Sequence, residues 1–557
     1  MTRIPKYVCL CGLLLTAALP ASAVQRADLL PENRLFDFQI SNIGDFLSGM
    51  KQSSFGRLWA DPQFQNFLGN PEADDWMDLI SDGGNPAERE MLAEQFKAIT
   101  GEVLAALTSD ADDLYLVLAM SPEDFERSLV LDEKLAALED ADFRIVNDVF
   151  QDIDLIRHIA DPGTPMESST WQAHLNNTLV MGPSREWVER SIVQLKKEPV
   201  EEPEGHPALT LNMPLSYIIG NIVREAEMSG VENAEAGTAQ LFESLGLLGI
   251  ESFSSRIELT EEEMVMDNQL LVDSLDKGLF TMLDMTPVEM PSVGFIPETI
   301  TQLEVGRVNL PHIWKEIPVM LDAVLPELKP QFDSILSSVR QQIGIDLEQD
   351  LIAHLGTRYL GFTTLENEVL LSVLAIELSD SQSFRQTLAR IMSSPAVQPD
   401  IDLVLDTVDF LDHTLYVSKN PDPAEAFAFA VSGNYLLYGE PDSVRQVIRA
   451  ESSPNAANNR FEQTELVQQL RRFVPTGAFG FSAIDWRKNM AFLVRQVQQP
   501  ENHRLLLEEW AMSGAPIPPP EFDKLPPADY LASFFNMSYQ YVERTSRGLH
   551  HHLVLRY

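Results

Sequence analysis

Apolar and polar positions alternate over Ser254–Thr260 and again over Met264–Val272, with Ile257 and Leu259 answered by Met264 and Met266 across the acidic tip Glu261–Glu263. Period-two alternation predicts two strands with one covered face, joined as a hairpin. Tyr539–Arg544 and Leu549–Leu555 carry a second hairpin of the same kind. Other segments alternate between strand and helix signals. Arg34–Ile40 has the length and apolar content of a strand, and Asn42 is a good cap for a helix over Ile43–Met50. Leu114–Ala119 is continuously apolar, as a buried strand is. The following Ser121-Pro122-Glu123-Asp124 opens a helix with a cap, a proline in the first turn and acids against the dipole. Thr178–Met181 with Gly182-Pro183-Ser184 repeats the strand-turn-helix theme. Hairpins beside strand-helix units argue against purely parallel winding. The expected class is α+β, with largely antiparallel sheets covered by helices.

The segments occur in two sets. Asn177-x-Leu179-x-x-Gly182 and the run Ser184–Leu195 recur 257 positions later as Asn434-x-Leu436-x-x-Gly439 and Pro441–Ala450. Leu30-Pro31-Glu32 recurs as Ile296-Pro297-Glu298, Asn42-Ile43 as Asn309-Leu310, and Leu114–Ala119 with Phe125 and Leu129 as Val369–Ala375 with Phe384 and Leu388. Offsets near 260 in constant order predict two tandem similar modules, residues 24–283 and 298–557, on either side of a proline-rich seam at 284–297. The seam, Lys196–Pro207 and Ala515–Pro527 are expected as surface excursions, and Pro518-Pro519-Pro520 as a rigid spacer.

Residues 1–23 read as a signal peptide: Arg3 and Lys6, an apolar run from Val8 to Leu19, and an Ala21-Ser22-Ala23 cleavage site. Both cysteines, Cys9 and Cys11, fall inside it, so the mature chain is expected to have neither disulfides nor thiolate chemistry. No later run is long and apolar enough for a membrane helix. The expected location is periplasmic or secreted, with no transmembrane segment after cleavage.

The 557 residues carry 40 Lys+Arg against 84 Asp+Glu, a formal net charge of −44. Removing residues 1–23 takes away two basic residues and no acidic one, giving −46. A surface this negative repels phosphate backbones and anionic headgroups, so nucleic-acid binding is excluded from the expectation.

Catalytic spacings are missing: there is no H-E-x-x-H, G-x-S-x-G, Walker loop or G-x-G-x-x-G. In His550-His551-His552, a strand would turn His550 and His552 to one face and His551 to the other. Only a pair would then share a metal, with a carboxylate needed from elsewhere, and the simpler expectation is an edge strand without metal. Asp110-Ala111-Asp112-Asp113 lacks the glycine and distal glutamate of a calcium loop and is expected as a polar turn. Asp346, Glu348 and His354 lie close in sequence and are the candidates for a dispersed carboxylate/histidine hydrolase site. Phe55, Leu58, Trp59, Phe64 and Phe67 have helical spacing around Asp61-Pro62; this stripe packs on its own sheet or lines an apolar groove for a lipid or peptide. No cofactor is expected.

Leu29-Leu30-Pro31-Glu32-Asn33, followed by Ser54-Phe55-Gly56-Arg57-Leu58-Trp59, Asp61-Pro62 and Gln65-x-Phe67-Leu68, resembles the opening of a family of large exported bacterial proteins of unknown function. The resemblance implies export and a repeated α+β domain and supplies no catalytic residue. The matched positions of the repeat are apolar, Gly, Pro and Asn, which are folding residues. The expected function is therefore an exported, non-enzymatic envelope protein with a binding, scaffold or carrier role toward an envelope protein, peptide or lipid, its site in a cleft where the modules differ or meet. The alternatives are a purely structural secreted protein and the hydrolase-like enzyme.

Overall fold

Asn42 Oδ1 accepts from the backbone N–H of Asp45 and starts the first helix, Ile43–Gln52, as its cap chemistry predicts. This and the rest of the architecture come from a computed structural model, which describes residues 24–69, 99, 101–108, 113–138, 143–160, 168–201, 208–228, 239, 241–324, 326–366, 369–394, 405–419, 426–453, 461–513 and 520–557. The signal-peptide reading, Asp110 to Asp112, and parts of the loops at 202–207 and 514–519 lie outside the described residues. The chain divides into two compact units: Met1–Met50 with Glu72–Met213, and Lys51–Pro71 with Pro214–Tyr557. The division falls at other points of the chain than the proline-rich seam.

The first unit holds β1 (Val24–Gln25), β2 (Arg34–Ile40), β3 (Val103–Thr108), β4 (Leu114–Ala119), β5 (Phe143–Phe150), β6 (Ile153–Ala160), β7 (Ser168–Leu175), β8 (Thr178–Gly182), β9 (Val200–Glu201) and β10 (Ala208–Met213). Eight of them form one antiparallel sheet in the order β10-β2-β3-β4-β8-β7-β6-β5, and β1 pairs with β9 in parallel. Alternation sends Leu104, Val117 and Val180 to one face, where they pack with Trp187, Val188 and Ile192 of the helix Arg185–Lys197. Val103, Leu118 and Leu179 point the other way, toward Ile43 and Phe125. Burying a side chain such as Ile192, with none of its surface exposed, contributes about 1.5–3 kcal/mol. Both helix starts expected here are made: Ser121 Oγ caps Asp124 and Ser184 Oγ caps Trp187. The motif around Asn177 is a tight hairpin turn, with Asn176 and Asn177 at φ 52 and 55, conformations asparagine tolerates. Gly182, the last residue of β8, has no room for a side chain, since a Cβ there would meet the Tyr115 ring at 2.7 Å.

The second unit holds β11 (Ile250–Leu259), β12 (Glu263–Val272), β13 (Ile300–Arg307), β14 (Leu355–Glu366), β15 (Val369–Leu378), β16 (Leu405–Phe410), β17 (His413–Ser418), β18 (Ala428–Ser432), β19 (Tyr435–Gly439), β20 (Ala478–Asp485), β21 (Met537–Thr545) and β22 (Gly548–Arg556). These twelve make one antiparallel sheet in the order β11-β12-β22-β21-β20-β13-β14-β15-β19-β18-β17-β16. Its main core joins Leu303, Leu360 and Leu437 to Val444 and Ile448 of the helix Pro441–Glu451 and to Val467 and Leu470 of the helix Glu465–Phe473. Leu378, Tyr416 and Val431 cover the other face with Phe384 and Leu388 of the helix Ser381–Ser393.

Two expectations are corrected here. The proline-rich seam is not a surface excursion: Val288, Phe295 and Ile296 are buried in the main core, and the Val288 N–H donates to Ala478 O. Prolines remove backbone donors, so an extended segment that contains them enters a core with fewer groups to satisfy. The triple-histidine segment is not an edge strand either, because β22 lies between β12 and β21 and pairs with both.

A histidine and carboxylate cluster as the candidate functional site

Antiparallel register on β12, β22 and β21 puts three cross-strand rows on one face. Val265, Val554 and Tyr539 form the first; Asp267, His552 and Tyr541 the second; Gln269, His550 and Glu543 the third. The rows run from apolar to charged. Val554 and Tyr539 are buried in the core, whereas the side chains of His552, His550 and Asp267 are 20, 18 and 33% exposed.

Asp267 is the hub. Its Oδ1 accepts from His552 Nδ1 at 2.6 Å and from His550 Nε2 at 2.9 Å. The other nitrogen of His550, Nδ1, donates to Glu543 Oε1 at 3.1 Å. A carboxylate on each nitrogen favours the imidazolium, which donates twice. Burial works against its charge, but the hydrogen bonds and negative charges of Glu543 and Asp267 outweigh it and raise the His550 pKa above the usual histidine range. Burial likewise favours a neutral Asp267, and the hydrogen bonds from His552 and His550 overcome it and hold the carboxyl below its usual range. Phe473, at the end of the helix Glu465–Phe473, stacks on His552 with centroids 5.4 Å apart and lies equally close to Tyr541. The aromatic wall fixes the imidazole plane from the core side.

His551 faces the other way, as the alternation predicts. Its Nδ1 accepts from the Asn268 amide at 2.9 Å and its Nε2 donates to Gln540 Oε1 at 3.1 Å. Burial, then the charges of His550 and His552, lower its pKa, so the ring is a neutral link between strands.

The two hairpins are related by a constant offset. Ile257 pairs with Met266 and Val542 with His551; Arg256 pairs with Asp267 and Tyr541 with His552, each position of the second pair lying 285 residues after its counterpart. The residues paired where the hairpins meet, Asp267 and His552, are themselves 285 apart, so the local dyad passes through this pair. Under the same offset Glu543 corresponds to Glu258 but His550 to Val265, so the second histidine stands on one side of the dyad alone.

The other candidates lie elsewhere. Asp346 caps a single turn through the Gln349 N–H, and His354 ends the short helix after it. Among the described residues, the histidine/carboxylate group that comes within metal-ligand reach is Asp267, His550 and His552; Asp346, Glu348 and His354 form no such group. The aromatic stripe splits. Leu58 and Phe64 pack against Val494, Ala528 and Leu531, and Phe67 is 8% exposed beside Phe522. Trp59 is half-buried, and Phe55, 60% exposed, touches Phe535 edge-on at 5.7 Å. An open depression of about 470 Å³ lies between the seam at Phe295 and the turn at Asn434 and Tyr435, with Glu451 on its rim. Among the described residues no helix is long and apolar enough to cross a membrane.

Sequence reasoning located the histidine pair and its common face but missed Asp267. The nearest signal was the register of two hairpins, each legible alone, whose pairing spans 285 positions.

No protein-family model matches the chain, and no curated protein matches it. Among solved structures, the chain is similar to crystal form III of TP0453, at 8% identity over 45% of this chain and 81% of that one, with a TM-score of 0.23. Crystal form IV of TP0453 gives 9% identity over 50% and 90%, again with a TM-score of 0.23. At such scores the similarity says nothing about activity.

Proposed function

We propose that this chain is an exported, non-enzymatic envelope protein with a binding or scaffolding role, built from two tandem copies of one α+β module, residues 24–283 and 298–557, joined through 284–297. The observation that carries the reading is the β11-β12-β22-β21 pairing, in which two hairpins of the same register meet about Asp267 and His552. Further support comes from strand order. The first unit runs β10-β2-β3-β4-β8-β7-β6-β5, and the second contains the corresponding series β20-β13-β14-β15-β19-β18-β17-β16. The Asn177 and Asn434 carbonyls make matching bonds, to the N–H of Met120 at 3.0 Å and of Leu378 at 2.8 Å.

The long sheet favours a scaffold, and the repeat's matched residues serve turns and close approaches. Export rests on residues 1–23 and on the resemblance to exported bacterial proteins. Phe55, the ring of the stripe left most exposed, belongs to the partner-facing surface in this reading.

Native mass spectrometry of the protein purified from its own envelope, with lipid extraction and N-terminal sequencing, tests it. A start after Ala23 and a co-purifying protein, peptide or lipid are expected. An uncleaved chain, or a bare chain with hydrolase activity abolished by carboxylate substitutions, would overturn it.

A further inference from the structure

We propose that Asp267, His550 and His552 bind one divalent transition-metal ion of zinc-like ligand preference at the junction of the two hairpins. One atom from each residue can be chosen so that all three lie within 4.8 Å of one another. Ligands about 2.1 Å from a tetrahedral ion stand about 3.4 Å apart, a separation within the span of these three groups. Two imidazoles and one carboxylate form a three-ligand set that leaves the fourth tetrahedral position to solvent.

The surroundings suit the role. Glu543 holds Nδ1 of His550 as the donor, which directs Nε2 toward Asp267 and the centre of the group; the ion replaces the protons that His550 Nε2 and His552 Nδ1 share with Asp267, and these protons leave to solvent. A carboxylate on the far nitrogen is the usual support of a metal-ligating histidine, since it fixes the tautomer and raises ligand basicity. Phe473 packs on the His552 ring and keeps it from turning away. The ligands sit on strands inside the sheet, where backbone pairing on both sides restrains them. Their partial exposure leaves a path for the ion. Two nitrogen donors select zinc, nickel, cobalt or copper over calcium and magnesium, which take oxygen. The ion would tie β12 to β22, and the site does not depend on the chain having a protein or lipid partner.

The test uses the full exported chain with Zn2+ as the sole transition metal and excess Mg2+ to occupy surface carboxylates. One equivalent of Zn2+ is expected to stay bound through dialysis. Asp267→Asn and His552→Gln should each weaken binding at least 10-fold, whereas His551→Gln, on the opposite face, should leave it unchanged. Co2+ should give the intense visible bands of a low-symmetry nitrogen/oxygen site. The proposal fails if no stoichiometric Zn2+ is retained or if both variants bind as tightly as the unaltered chain. If those variants do not fold, the Co2+ spectrum of the unaltered chain decides, and weak octahedral bands alone overturn the site.

Discussion

The guanidinium of Arg26 meets the carboxylate of Glu102 at 3.0 Å inside the first unit, with the two residues 1 and 4% exposed. Arg26 Nε also donates to Thr178 Oγ1, and Gln39 donates to the other oxygen of Glu102. A buried pair gains little over an apolar replacement, but removing one partner strands the other charge. Glu102→Ala should therefore destabilise the first unit by about 3–5 kcal/mol. Arg26→Met combined with Glu102→Leu should recover much of the loss. Urea unfolding followed by the fluorescence of Trp171 and Trp187 separates these outcomes.

Asp284 and Arg307 form a less deeply buried pair at the start of the seam, 3.1 Å apart. Burial raises the Asp284 pKa, and hydrogen bonds from Thr286, Thr357 and Arg307 overcome it, so the folded value lies below the usual carboxylate range. A depressed folded pKa stabilises above the unfolded value of about 3.9 and ceases to do so as pH falls through the folded value. Asp284→Asn should cost about 1 kcal/mol at pH 7 and progressively less below about pH 4, read as a shrinking difference in denaturation midpoints.

Two glycines of the second unit should respond in opposite directions. A Cβ on Gly439 would lie 2.4 Å from Ser372 O, a backbone atom of the neighbouring strand, so Gly439→Ala should destabilise by about 1–3 kcal/mol. Gly220, in the helix Leu215–Met228, has open space where a methyl would stand, with no atom within 4 Å of it. Gly220→Ala should stabilise by about 0.5–1 kcal/mol, and thermal melts of the two variants check both signs.

Leu411 turns the β16-β17 hairpin at φ 45 while 49% exposed, so it holds a left-handed backbone without burying its side chain. Leu411→Asn should raise stability by about 0.5–1 kcal/mol, since asparagine accepts this conformation more readily. A lower melting temperature would contradict this account of the turn.

What could be seen in the chain followed local periodicity. The β11-β12 and β21-β22 hairpins, the caps at Asn42, Ser121 and Ser184, and the opposed faces of His550 and His551 all follow from alternation and cap chemistry. The β5-β6 and β16-β17 hairpins went unread because Gln151-Asp152 and Leu411-Asp412 lack the Asn-Gly signature of a two-residue turn. Val288, Phe295 and Ile296 were obscured by the prolines between them. Asp267 was out of reach for a different reason. Its partners are chosen by the pairing of strands 285 residues apart, which no local pattern encodes.

That pairing also governs the order of assembly. β22 fills the place between β12 and β21, so β12 keeps a bare hydrogen-bonding edge until a strand made hundreds of residues later arrives. Closing so long a loop is slow, and an open edge is a template for another chain in the interval. A chain synthesised N-terminus first therefore holds β12 unsealed until its last strand is complete, and any factor that shields this edge acts within that interval.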